Sequence, residues 1–414
     1  MKVGESLRIA CEESGCPGAV VAIADGSGVE THAAGRAAID RSEEMTADHQ
    51  FPPMSIVKSM TAALVADMCT GSPLTFDTSV AEVLGAAHAK WAPNVTIDHL
   101  LACTSGLTAF HFPDTGDRDG AVTALVPTLG SVEPMYAPGS RFSYSNTGFM
   151  ILGAILEAAA GSVFDDLLHD RVLSPLGLQD SGSLYKGEPS LPVTQHFSGP
   201  GGAIAAGWWK LRCGGPGGAG TVYATAADIA RYGRAHIERW PELREPRANF
   251  PGPHAESWAR GWAIYGWGGS VFGWDGFGPG AKTFLRVLPH HDTAIAIFTN
   301  GSNGRDVYRA VLPALLRERF GLEMTGETWA PNPASRTDSA EADRIVGRYR
   351  NGPAVTTVRH ADGGYLLEDY MGRSLPIRAA GQGRFVAPES FEYPTLEFDG
   401  DVLTYFCSVW MRET

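Results

Sequence analysis

Residues 18–24 form an unbroken run of small and β-branched apolar side chains, Gly18 through Ala24, closed by the turn pair Asp25 and Gly26. Residues 29–34 then return. A short apolar run bounded by a turn signal predicts a buried strand with a hairpin partner. Over residues 55–69 the period changes. Ile56, Val57, Met60, Leu64 and Met68 recur near every 3.6 positions, and Gly71 stands just past the last of them, so a helix is predicted. Short helices and loops are expected to about residue 190. The stretch 199–220 is rich in Gly, Pro and Trp and has no period. Thr225, with Asp228 three positions on, predicts an N-cap that opens a helix through His236. Alternation resumes at 283–288 and 293–298, two strands joined by a turn at Pro289, His290, His291 and Asp292.

Strands at both ends with helices between predict an α+β domain whose antiparallel sheet draws on both ends of residues 1–325. Residues 326–342 contain Pro331, Pro333 and several Ser, Thr and Ala without periodicity, and read as a linker. Residues 343–414 are short alternating runs at 354–359, 364–368, 375–379, 395–398 and 402–410, the pattern of a small antiparallel sheet or barrel.

Composition narrows the function. The 414 residues carry a formal charge of −13, which disfavours nucleic acid and anionic membranes as partners, since both need clustered Lys and Arg. No run of about 18 apolar residues is present to span a bilayer. Residues 1–12 carry charges every few positions and no apolar core of signal-peptide length. Cys11, Cys16, Cys69, Cys103, Cys213 and Cys407 fit neither a zinc spacing nor a disulfide framework. A cytoplasmic protein with reduced thiols is expected. No metal is implied; His290 and His291 lie in a predicted turn. No cofactor is expected.

Lysine is scarce, so Lys58 inside an apolar stretch stands out. Ser55 and Lys58 are three apart, and on a helix such residues share a face. A desolvated amine can act as the base that turns a hydroxyl into a nucleophile. The plain alternative is a capping Ser and a solvated Lys. Some ninety residues on stand Tyr144 and Asn146. A phenol beside an ammonium loses its proton more easily and can serve as a base. An Asn amide can orient the lysine or a substrate carbonyl. A buried Tyr and a turn Asn are the plain readings.

In order and surroundings these motifs resemble the serine β-lactamase and penicillin-binding-protein superfamily, specifically its class C-like branch. Ser55-x-x-Lys58 and Tyr144-x-Asn146 match that branch's first two motifs. Residues 16–23 (CPGAVVAI) resemble its first strand, and 100–107 (LLACTSGL) a segment in which Cys103 replaces the usual His. Residues 176–178 (LGL) and 225–232 (TAADIARY) fit as well, so the resemblance covers roughly 15–302. It implies a β-lactamase/transpeptidase-like fold with Ser55, Lys58, Tyr144 and Asn146 as catalytic residues. Its oxyanion hole would be the backbone N–H groups of Ser55 and Phe277. The opening at 345–349 (IVGRY) resembles the lipocalin-like β-domain appended to many members.

The third motif departs from the family. His-x-Gly or Lys-Thr-Gly is usual; here Trp274, Asp275 and Gly276 stand within 272–280 (FGWDGFGPG). Lys282 and Thr283 come too late and read as ordinary strand residues. Indole has one donor, no charge and a large apolar face. Trp at this position resembles family VIII carboxylesterases and the lovastatin-type acyltransferase. The expectation is a serine esterase or acyltransferase that forms an acyl-Ser55 intermediate. Its partners would be a small-molecule or peptide acyl donor and an acceptor: water, alcohol or amine. Trp274, Asp275 and Gly276 would contact substrate. Phe272, Trp208, Trp209 and Tyr223 would line an apolar pocket or simply pack. A D-amino-acid peptidase or penicillin-binding-type thioesterase is the alternative activity, and an inactive binding or sensor relative the non-enzymatic one.

Overall fold

A computed structural model describes residues 3–116, 120–199, 202–206, 222–278, 280–326, 344–361, 364–387 and 395–413. The first helix, α1 (Val3–Ser14), buries Val3, Leu7, Ala10 and Cys11 on one face and leads into the hairpin β1 (Gly18–Asp25) and β2 (Gly28–Gly35). The 3-10 turn Met54–Ile56 then enters α2 (Val57–Gly71). A helical region follows: α3 (Val80–Leu84), α4 (Ile97–Leu101), α5 (Asn146–Ala160) and α6 (Phe164–Leu168). Two short pairs come next, β3 (Gly182–Ser183) with β6 (Val222–Tyr223), and β4 (Gln195–Gly199) with β5 (Gly202–Ala206). Thr225 Oγ1 accepts the Asp228 N–H at 3.2 Å and caps α7 (Ala226–Arg239). The chain returns to the sheet through β7 (Ala248–Asn249), β8 (Ser257–Trp258), β9 (Ala263–Tyr265), β10 (Val271–Gly278), β11 (Ala281–Leu288) and β12 (Thr293–Thr299), then closes with α8 (Gly304–Phe320).

The main sheet is antiparallel, in the order β2-β1-β12-β11-β10-β9-β8-β7. The first strand of the chain thus pairs with the last of the domain, Ala19 opposite Thr299 and Ala24 opposite Ala294. The runs in β1 and β12 are almost wholly apolar, and every residue of β11 is buried, because both faces are covered. α1 and α8 lie on one face and α7 on the other, with α2 beyond it through the Tyr232 hydroxyl, which donates to Ser59 Oγ at 3.0 Å.

The C-terminal unit is a closed antiparallel barrel: β13 (Gly347–Asn351), β14 (Ala354–Ala361), β15 (Gly364–Glu368), β16 (Ser374–Gly381), β17 (Arg384–Val386), β18 (Thr395–Asp399), β19 (Val402–Tyr405) and β20 (Ser408–Arg412). Its interior is filled by Tyr349, Leu367, Phe385, Leu396, Leu403, Tyr405 and Trp410, among others, so it is a packed core. The segment expected as one strand over 402–410 is a hairpin. Tyr405 pairs with Ser408, and the two residues between, Phe406 (φ 56°) and Cys407 (φ 57°), are both left-handed. That is the two-residue turn in which Asn and Gly are usual. Phe and Cys each adopt it at a cost of about 1–2 kcal/mol. The linker expected over 326–342 lies, from residue 327 on, outside the described residues.

Candidate active site

Ser55 sits in the single 3-10 turn ahead of α2 rather than in the α-helix itself. Pro52 and Pro53 fix the approach of the chain, and Met54 is left-handed (φ 51°). A non-glycine residue in that region is strained, and here it stands immediately before the serine. One turn further, Lys58 is fully buried, and its Nζ lies 3.0 Å from Ser55 Oγ. Burial pushes the Lys58 amine down to about 7, slightly offset by the Cys103 thiol nearby. Its Nζ lies 5.0 Å from the centroid of the Tyr144 ring and 5.8 Å from that of Phe149.

Tyr144 is buried at the entrance to α5. Burial pushes its phenol well up, and hydrogen bonding to Ser55 and Trp274 does not offset that. The expectation that the nearby ammonium would ease loss of the phenol proton is therefore reversed. Desolvation outweighs the charge, because the same burial discharges the lysine. Burial favours the neutral amine and the neutral phenol. Asn146 is half-buried as the first residue of α5.

Strand β10 forms the opposite wall. Alternation puts Trp274, Gly276 and Gly278 on the face toward Ser55. A Cβ at Gly276 would collide with Pro53 O and Thr283 Oγ1 and would stand 3.0 Å from Met54 Cβ; one at Gly278 would collide with the Met54 side chain. The glycines are there because the serine turn occupies their side-chain space. Thr283, opposite Gly276 in register, donates to Pro53 O at 3.0 Å. It therefore ties the sheet to the serine turn, a role that reading it as an ordinary strand residue missed. Phe277, whose backbone N–H was expected in the oxyanion hole, turns its ring to the other face, against Phe284 and 4.8 Å from Lys282 Nζ.

Several expected substrate contacts are placed elsewhere. Trp274 is only 2% exposed. Its Nε1–H donates to Tyr144 Oη at 3.3 Å, and its ring packs edge-on against Trp258 at 4.6 Å. It supports the tyrosine rather than offering an open apolar platform. Asp275 points the other way, as the residue after Trp274 must on a strand. It is buried against Arg286 (2.7 Å), Arg305 (3.2 Å) and His254 (3.4 Å). Burial alone would raise its carboxyl; Arg286, His254 and Arg305 hold it far below the usual range. It is a structural anion under α8 and makes no wall of the site. Phe272 is fully buried against Trp262 and His236. Tyr223 lies over Gly182, where a Cβ would be 2.5 Å from its hydroxyl. Both pack. Trp208 and Trp209 lie outside the described residues.

The barrel reaches this site. The N–H of Tyr144 donates to Cys407 O at 2.8 Å, and Ser408 Oγ donates to Tyr144 O at 2.9 Å.

Known proteins are similar to this chain in sequence and in fold. The family model described as Beta-lactamase matches residues 8–318. The chain is 32% identical to "Penicillin-binding protein 4" of Amycolatopsis lactamdurans over 338 residues, 76% of this chain and 88% of that one. It is 30% identical over 170 residues to a "D-aminopeptidase" of Brucella anthropi, 39% of this chain and only 32% of that enzyme. Among solved structures, SurE superposes with a TM-score of 0.80 at 25% identity, over 99% of this chain and 98% of that one, barrel included; SurE has also been solved with D-Leu. With the family model matching residues 8–318, the chain belongs to the Beta-lactamase family of serine hydrolases, alongside the penicillin-binding proteins.

Proposed function

We propose that the protein is a serine esterase or acyltransferase that works through an acyl-Ser55 intermediate. The observation that carries this is the 3.0 Å contact between Ser55 Oγ and the fully buried, discharged Lys58. A neutral amine at that distance accepts the serine proton as Oγ attacks the donor carbonyl. The backbone N–H groups of Ser55 and Phe277 would meet the developing oxyanion. Tyr144 keeps its proton, and its oxygen already accepts from Trp274. Its O–H is therefore the group that protonates the leaving atom, and Lys58 returns a proton to it. Water, an alcohol or an amine then attacks acyl-Ser55, with the protons passing back along the same path. Asn146 would orient the donor carbonyl.

On the Ser55 face β10 contributes Trp274, Gly276 and Gly278 and no cation. This supports an uncharged ester, thioester or amide donor. Intact-mass measurement after exposure to activated esters, a peptide thioester and penicillin tests the reading. One acyl group on Ser55, absent in Ser55→Ala, is expected; acylation that persists in Ser55→Ala would overturn it.

A second reading has its own support: the likeness to SurE over both units, with D-Leu bound there, and to a D-aminopeptidase. On that reading the acyl donor is a peptide or aminoacyl group of D configuration, released or cyclised. Matched D- and L-aminoacyl thioesters separate the two, since a simple esterase would not favour the D series.

A further inference from the structure

Both backbone polar groups of Tyr144 are bonded to one hairpin of the barrel. Cys407 O accepts its N–H at 2.8 Å, and Ser408 Oγ donates to its carbonyl at 2.9 Å. The neighbouring residues are held the same way. Ser143 Oγ accepts the Val409 N–H at 3.0 Å. Asn351, on β13, donates to Val409 O at 2.9 Å and accepts from Thr108 Oγ1 at 2.7 Å and from Ala109 N at 2.9 Å. Thr108 O in turn accepts from Ser145 Oγ at 3.1 Å. Residues 143–145 are thus set between the catalytic domain and the barrel before α5 begins.

The hairpin is an unusual one. Phe406 and Cys407 are both left-handed without being Gly or Asn. Such strain persists only where the surroundings over-determine it, and it gathers at functional sites. Here it has a geometric result. The tight two-residue turn leaves the Cys407 carbonyl aimed at Tyr144, while the Phe406 ring packs on both hydrophobic cores. Ser408 is 2% exposed, so its bond to Tyr144 is shielded from water.

We propose that the β19–β20 turn is a positioning device for Tyr144, so that the barrel is a working part of the acyl-transfer site. Ser408 and the Cys407 carbonyl are positioning groups: they touch neither substrate nor the reacting atoms and act through Tyr144. The inference rests on the reading of Tyr144 as the proton carrier, and it deepens that reading.

A double-mutant cycle on the full chain tests it, with p-nitrophenyl butyrate as substrate. Ser408→Ala should lower kcat about tenfold with KM within about twofold, and Ser408→Thr, which keeps the hydroxyl, should restore part of the loss. In a Tyr144→Phe background, Ser408→Ala should cause no further loss in the residual acylation rate, because the group it positions is already gone. An equal loss in both backgrounds, or wild-type kcat in Ser408→Ala beside an impaired Tyr144→Phe, overturns the positioning role and leaves the chemistry of Tyr144 standing. Wild-type turnover in Tyr144→Phe overturns the proton-carrier reading and the inference with it. If Ser408→Ala does not fold, a single glycine inserted between Phe406 and Cys407 withdraws the carbonyl and is read by the same cycle.

Discussion

The indole nitrogen of Trp274 donates its proton to the phenol oxygen of Tyr144 across 3.3 Å. One acceptor position of the phenol is thereby filled, and its own O–H remains a donor. Trp258 and Phe250 pack on the same indole and prevent it from turning away. On the proposed reading of Tyr144 as the proton carrier, this indole holds that tyrosine in place. Trp274→Phe keeps the ring and removes the donor. A net hydrogen bond contributes about 0.5–1.5 kcal/mol, so kcat on p-nitrophenyl butyrate should fall by up to about tenfold, with KM little changed. A variant that raises KM and spares kcat would show that the indole binds substrate after all.

Lys58 sets the pH dependence. Its amine titrates near 7 in the folded protein, against roughly 10.5 when unfolded. Only the neutral amine takes the serine proton, so kcat/KM should rise with pH through about 7 and level above it. Stability follows the same group. Below about 7 both states hold the proton and the burial penalty is present in full. Between about 7 and 10.5 the unfolded chain holds the proton and the folded one does not, so stability gains as pH rises. Lys58→Met should therefore be inactive but more stable, by on the order of a few kcal/mol near pH 6, with the difference shrinking toward pH 10. Denaturant melts at three pH values measure it; a constant difference would place the titration elsewhere.

Much of the catalytic half was legible because its signals are local. The apolar run 18–24, the Thr225 cap and the Ser55/Lys58 spacing each correspond to a strand, a helix start and a contact. What was illegible was non-local or contrary to propensity. The turn at Phe406 and Cys407 carries no Gly, Asn or Asp, so 402–410 looks like one strand, although tertiary contacts fold it in half. α5 and α8 were passed over as short helices and loops or left unmarked; nearly all of α5 is buried, so no polar stripe marks its period. Asp275 was read by its neighbours in sequence, when a strand sends consecutive side chains to opposite faces.

That last correction can be tested through stability. Asp275 balances Arg286 and Arg305 in a buried cluster. Removing one member of a buried ion pair leaves an uncompensated charge and costs about 3–5 kcal/mol. Asp275→Asn should lose that much in urea unfolding, and the folded fraction should keep a near-normal KM. A tenfold rise in KM without loss of stability would return Asp275 to the substrate wall.

The uncharged face of β10 predicts a preference among substrates. A carboxylate there would lack a charge-assisted hydrogen bond, a contribution of roughly 1.5–3 kcal/mol, or about 10- to 150-fold in affinity. A chromogenic cephalosporin should therefore be a much poorer substrate than p-nitrophenyl butyrate by kcat/KM. The opposite order would remove the esterase assignment and leave Ser55 as nucleophile.

At Gly276 the backbone of β10 lies against the backbone of the serine turn. Its φ is not in the left-handed region, so alanine is excluded by space alone. The atoms a Cβ would strike are Pro53 O, a backbone atom that cannot swing aside, and Thr283 Oγ1, which is engaged with that same Pro53 O. Relief must come from movement of β10 away from the serine turn. Such movement would carry the Phe277 N–H away from the oxyanion, and the loss of one such donor typically costs 100- to 1000-fold in kcat. Gly276→Ala should therefore lose acylation by about that factor, measured as the burst with an activated ester, together with about 1–3 kcal/mol of stability from overpacking. Gly187→Ala, where a Cβ meets nothing within 4 Å, is the control and should change neither. If Gly276→Ala lost stability alone and acylated at the wild-type rate, β10 would not carry the oxyanion donor.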